Sequence, residues 1–101
     1  MKDKAQNIQQ LILLSRMMLE KAREESWEEV FVLEAERSEL IELFFSEPVQ
    51  QENAEAVGIG IQAIIAIDRD TMALGSLARL DLAQALHQME QGKKAVKAYT
   101  A

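Results

Sequence analysis

The amino-acid sequence predicts an all-α fold, an antiparallel three-helix bundle with a long third helix and a short basic C-terminal tail. Apolar residues recur at intervals of three and four, strand formers are few, and helix breakers are sparse, with one Pro and four Gly. At 101 residues the chain is expected to form one helical-bundle domain over 1–101, too small for separate cofactor and substrate halves. A hydrophobic fraction of 49% with 28% charged residues excludes a disordered chain.

The first helix is expected over 4–24, because Ile8, Leu11, Ile12, Met18, Leu19 and Ala22 fall on one helical face. Ser26-Trp27-Glu28-Glu29 then pairs a capping Ser with a Glu three residues on, so the second helix is expected over 27–46. Its apolar stripe is Trp27, Val30, Phe31, Leu33, Leu40, Ile41, Phe44 and Phe45, with the carboxylates of 26–50 mostly on the opposite face. Pro48 ends this helix or opens the next. The third helix is expected over 56–91, made secure only near Ile59 to Ile61 because Gly58 and Gly60 weaken its first turn, and stopped by Gly92. Its seam runs through Val57, Ile61, Ile64, Asp68, Thr71, Gly75, Ala78, Leu82, Ala85 and Met89.

Charge and targeting signals narrow the function classes. The formal net charge is −6, with an acidic centre and a basic tail, which argues against nucleic acid or anionic lipid as the main partner. The absence of Cys leaves no disulfide or thiolate chemistry and suits the cytosol. The start of the chain reads as no signal peptide, and the apolar run Leu11 to Leu14 is too short to cross a bilayer. A cytoplasmic protein without membrane insertion is the expectation.

Lengths sharpen the picture. The first two helices would each be roughly 30 Å long, whereas a helix from Gly60 to Gln91 would span about 48 Å. Leu80, Leu82, Leu86 and Met89 would then project past the bundle as an apolar docking surface for a client helix or a second copy, and a homodimer through the third helix follows from that overhang.

Candidate chemistry is sparse, and neither enzymatic activity nor a cofactor is expected. His87 lacks a second His or any Cys to complete a zinc site. A histidine phosphotransfer module would want His-x-x-Lys-Gly, where His87 to Gly92 places Glu90 at the lysine position and shifts the glycine by one. Gly58-Ile59-Gly60 has neither the preceding strand nor the Lys-Ser of a phosphate loop. The glutamates of 28–42 lack the loop spacing of a calcium site and read as a solvated face. Asp68, at a seam position, reads either as a register-setting polar residue or as half exposed. The lysines of 93–97 read as a partner motif or as a cationic helix end.

Taken together, Leu13-Leu14-Ser15, Leu19, Ala22, Trp27-Glu28, Leu33-Glu34, Glu36-Arg37 and Ile41, then Ile64-Ile65-Ala66-Ile67-Asp68, and finally Gly92-Lys93-Lys94-Ala95 with Ala98-Tyr99, resemble the FliT family of flagellar export chaperones over nearly the whole chain. The resemblance implies a bacterial type III export chaperone that binds the filament-cap protein as a helix in a groove. It further implies contacts with the export ATPase complex and export gate and, in some members, restraint of the flagellar master transcription regulator. On that picture Ile41, Phe44 and Phe45 of the second helix, with Leu74, Leu77, Leu82 and Leu86 of the third and Tyr99 of the tail, are the partner-binding residues. The acidic face would select basic client residues. Family members commonly carry a further C-terminal helix over the client groove. Here the chain ends two residues after Tyr99, so autoinhibition by that route is not expected: binding is constitutive, or Ala95 to Ala101 cover only part of the groove. The alternatives from other classes are a phosphotransfer module using His87 and a structural helical adaptor subunit.

Overall fold

The computed structural model describes the backbone of residues 4–74 and 81–100 and the side chains of 4–74 and 87–96. Four helices follow one another: α1 (Lys4–Arg23), α2 (Trp27–Phe45), α3 (Ala54–Ala73), preceded by a 3-10 turn over Gln51–Asn53, and α4 (Asp81–Thr100). The described residues contain no strand.

α1 forms where its apolar period requires, burying Ile8, Leu11, Ile12, Leu14, Met18, Leu19 and Ala22. It closes without a glycine. Glu25 takes the left-handed conformation at φ 61°, the Ser26 amide donates to the Lys21 carbonyl at 2.9 Å, and the Glu25 amide donates to Ala22 at 3.0 Å. That pair of bonds is a Schellman closure, which satisfies the last carbonyls of α1. The capping box expected at Ser26 is not formed. No side-chain cap bond is made there, and the Ser26 carbonyl instead accepts from the Glu29 and Val30 amides at 3.1 Å each. α2 stops at Phe45, with Ser46 Oγ donating to the Leu43 carbonyl at 2.6 Å, ahead of Pro48.

The third helix corrects the expectation most. Gly58 and Gly60 lie inside α3, which starts at Ala54. A Cβ on Gly60 would stand 2.5 Å from Ile8 Cγ1, so the glycine is there because α1 and α3 cross closely at this point. α3 then ends at Ala73, with the Leu74 amide turned back to the Thr71 carbonyl at 3.1 Å, and the chain resumes as α4 at Asp81. A rod of about 48 Å would exceed the molecule's longest extent of 39 Å. In its place stand four helices of 19 to 20 residues each. The overhang, and the geometric basis it offered for a dimer, are therefore absent. The tail over 93–101 is the second half of α4 as far as Thr100, and Gly92, read as a stop, lies mid-helix.

α1 lies between α2 and α3, and α4 packs on α3 while touching the end of α2. α1 and α2 run antiparallel: Lys21 meets Glu29 at 3.2 Å at one end, and the Lys4 ammonium lies 4.3 Å from the centre of the Phe44 ring and donates to the Phe44 carbonyl at the other. α3 and α4 are antiparallel too, with Arg69 bonded to Glu90 at 3.3 Å and Gly58 beside Val96. The main core joins Ile8, Leu11, Ile12, Ile41, Phe44, Val57, Ile61, Ile64, Met89 and Val96. A smaller cluster of Met18, Ala22 and Val30, with Trp27, Leu33 and Met72 against it, fills the opposite end. Phe31, placed in the α2 core stripe by its spacing, is 42% exposed.

Candidate functional site

The buried centre of the bundle is polar. Arg37 of α2 and Asp68 of α3 are fully buried and joined from Nη1 to Oδ1 at 2.7 Å. The same Nη1 donates to Ser15 Oγ at 2.8 Å, and Ser15 in turn donates to the Leu11 carbonyl at 2.8 Å. Three helices are thus tied at one level, and Asp68 is buried at its seam position rather than half exposed. Burial pushes the Asp68 carboxyl above the usual range, against the opposing pull of the adjacent guanidinium. Arg37 Nε and Nη2 and Asp68 Oδ2 have no hydrogen-bond partner among the described residues. A carboxylate held this way ties α3 to α2.

The apolar end of the bundle is different. Phe44 and Phe45 pack edge to face with ring centres 5.0 Å apart, and α4 lies over them. Met89 is fully buried, Val96 nearly so, and a Cβ on Gly92 would stand 2.4 Å from Phe45 Cε1. Gly92 lets the α4 backbone rest on the Phe45 ring. Beside this contact a mostly apolar cavity of about 590 Å³ opens between Phe45, Pro48 and Val49, with Ser46 and Glu47 beside them, on one wall and Gly92, Ala95 and Val96 on the other. Its apolar lining suits an aliphatic or aromatic side chain better than a charged ligand.

The expected partner-binding residues fall in three groups. Ile41 and Phe44 are buried at 2% and 3% exposure beneath α1, α3 and α4, and Phe45 is half-buried at the edge of the same cluster. Leu74 is 45% exposed, but the structure does not bring it to Phe44 and Phe45. The Arg37–Asp68 pair sets α3 against α2 so that Leu74 lies toward the Trp27 end. Leu77 lies outside the described residues, and Leu82, Leu86 and Tyr99 belong to α4 with side chains outside them. Leu80, part of the expected overhang, is likewise outside. Met89, also assigned to that overhang, is in the core. Spacing alone missed Gly92, Val96 and Val49 as parts of the site. The apolar positions Met89 and Val96, seven apart on either side of Gly92, were the available signal of a helix running through it.

His87 is exposed on α4. Among the described residues no group of three or more His, Asp or Glu side chains is placed to hold a metal ion. No described helix is long and apolar enough to cross a membrane.

These features define a class: a small all-helical bundle, pinned by a buried ion pair, whose last helix covers an apolar groove at one end. Within that class the chain belongs to the FliT family, whose model, flagellar protein FliT, matches residues 5–101. Membership carries with it a flagellar export chaperone role, and the family is one of chaperones rather than of enzymes. No curated protein and no solved structure matches the chain significantly.

Proposed function

We propose that this protein is a cytoplasmic chaperone of flagellar type III export that holds a helix of the filament-cap protein in the groove at the Phe44–Phe45 end and passes it to the export ATPase complex and gate. Restraint of the flagellar master transcription regulator, known in some members of the family, is part of the same proposal. The observation that carries the reading is the seating of α4. Met89, Gly92 and Val96 lie on the α2 end and on α3 the way an amphipathic client helix would, so α4 is the natural competitor for the client. On this reading Ile41, Phe44 and Phe45 contact the client once α4 has moved away. The free protein is then a closed form, in place of the constitutive binding expected from the sequence, and its apparent affinity is lowered by the fraction of time α4 is seated.

The test is capture of purified cap protein by the full chain. Gly92→Ala sets a methyl group against the Phe45 ring, loosens α4 and should raise capture severalfold. Phe45→Ala removes the half-buried ring that a client would use and should lower capture about tenfold, with helicity retained as the check on folding. Failure of wild type and Gly92→Ala alike to capture the cap protein would refute the proposal.

A further inference from the structure

We infer that the outer groove between α1 and α2, on the side away from α3 and α4, is a second docking surface, shaped for a basic amphipathic helix of another protein. Three large apolar side chains are left in water there: Met17 at 42%, Val32 at 68% and Leu43 at 67% exposure. Val32 and Leu43 are eleven residues apart, three turns of α2, and so share one face of it. The antiparallel register that brings Lys21 to Glu29 and Lys4 to Phe44 sets Met17 level with Val32. A cleft of about 150 Å³ continues the line between Gln10 and Leu43.

The charge around this line identifies the occupant. Glu28, Glu36 and Glu39 stand on the same sector of α2, within about 100° of arc, and all are exposed. A merely solvated helix face ordinarily alternates signs at i and i+4. Here it does not, because the one basic residue of α2, Arg37, is turned inward and neutralised by Asp68. An apolar line flanked by uncompensated carboxylates is the complement of a helix with apolar residues at i, i+4, i+7 and i+11 and Lys or Arg beside them. It repels an anionic bilayer. A second copy fits poorly as well: the chain's own basic helix, α4, already buries its apolar residues Met89 and Val96 in its own core, while Lys93 and Lys94 border the α3–α4 cleft. The surface lies apart from the groove under α4, so this inference stands or falls independently of the client assignment.

The experiment is fluorescence anisotropy of the full chain with a labelled Leu/Lys peptide of about 18 residues in that amphipathic pattern, beside a scrambled peptide of the same composition. Binding of the patterned peptide should weaken about tenfold in Val32→Ser/Leu43→Ser, and as much in Glu36→Lys/Glu39→Lys. Capture of cap protein should be unchanged in Val32→Ser/Leu43→Ser. Equal binding of the scrambled peptide, or indifference to both pairs of substitutions, would overturn the inference and leave a solvated acidic face. Self-association in sedimentation that is lost in Val32→Ser/Leu43→Ser would also overturn it, assigning the face to a second copy.

Discussion

At mid-height α1, α2 and α3 meet around Ser15, Arg37 and Asp68, three polar side chains with no exposed surface and a 2.7 Å ion pair between two of them. At the Phe44 end α4 meets α2 and α3 through Met89, Gly92 and Val96, and its described side-chain hydrogen bond to the rest of the protein is the exposed Arg69–Glu90 pair. Both regions are buried, but their contacts differ in kind. Directional bonds tie the first three helices together at one level. Apolar contact is non-directional and roughly proportional to area, so a second apolar helix of similar shape replaces the first at little net cost. Burial of Met89 and Val96 is worth about 1.5–3 kcal/mol each, whereas loss of one partner of a buried ion pair costs about 3–5 kcal/mol. On the proposed reading, α4 is the element that another helix displaces while the α1–α2–α3 frame remains intact.

The comparison can be broken most forcefully at its polar side. Asp68→Ala leaves the Arg37 guanidinium buried without its counter-ion and should cost about 3–5 kcal/mol in urea unfolding. The double change Arg37→Met/Asp68→Leu should restore most of that loss or exceed wild-type stability, since a well-packed apolar pair avoids the desolvation penalty. A double variant as unstable as Asp68→Ala would mean that packing around the pair, rather than the unpaired charge, sets the loss.

The two helical glycines sharpen the comparison at an intermediate scale. Ala at Gly60 gains up to about 1 kcal/mol of helix propensity but forces a methyl group against the fully buried Ile8, for a net loss of about 1–2 kcal/mol in global stability. Gly92→Ala meets the outer edge of the half-buried Phe45 ring, which has room to swing. Its effect should be smaller and confined to α4, read as faster amide exchange in 87–96 with the α1–α2–α3 amides unchanged. Uniform acceleration across all four helices would show that α4 does not open separately.

The smallest effect belongs to the surface pair. Arg69 and Glu90 are 67% and 46% exposed, and Arg69→Ala should change stability by no more than about 0.5 kcal/mol and leave the α4 amides protected. A larger loss would mean that α4 is held by charge and would remove the contrast between the two regions.

Local pattern was enough to place α1 and α2. Lys4–Arg23 and Trp27–Phe45 fall within a residue of the expected spans, because three-and-four periodicity over twenty residues admits no other regular element. The seam of α3 was legible for the same reason, and Val57, Ile61, Ile64, Asp68 and Thr71 are all fully buried. The family resemblance was legible too, since it rests on residue order along the chain. Three features were decided only by the tertiary structure. The same apolar period runs on from α3 into α4, and periodicity cannot tell a continuing rod from one that folds back; the return of Gly92 onto the Phe45 ring settles that, and it is a contact between residues more than forty positions apart. Gly60 and Gly92 are helix breakers by propensity and helix residues in fact, because what excludes a side chain there is Ile8 or Phe45 from another helix. Arg37 sits in the most acidic stretch of the chain and is nonetheless buried, since its compensating charge arrives from α3, thirty-one residues further along. Propensity and period act between neighbours in sequence, whereas excluded volume and charge neutralisation act between neighbours in space.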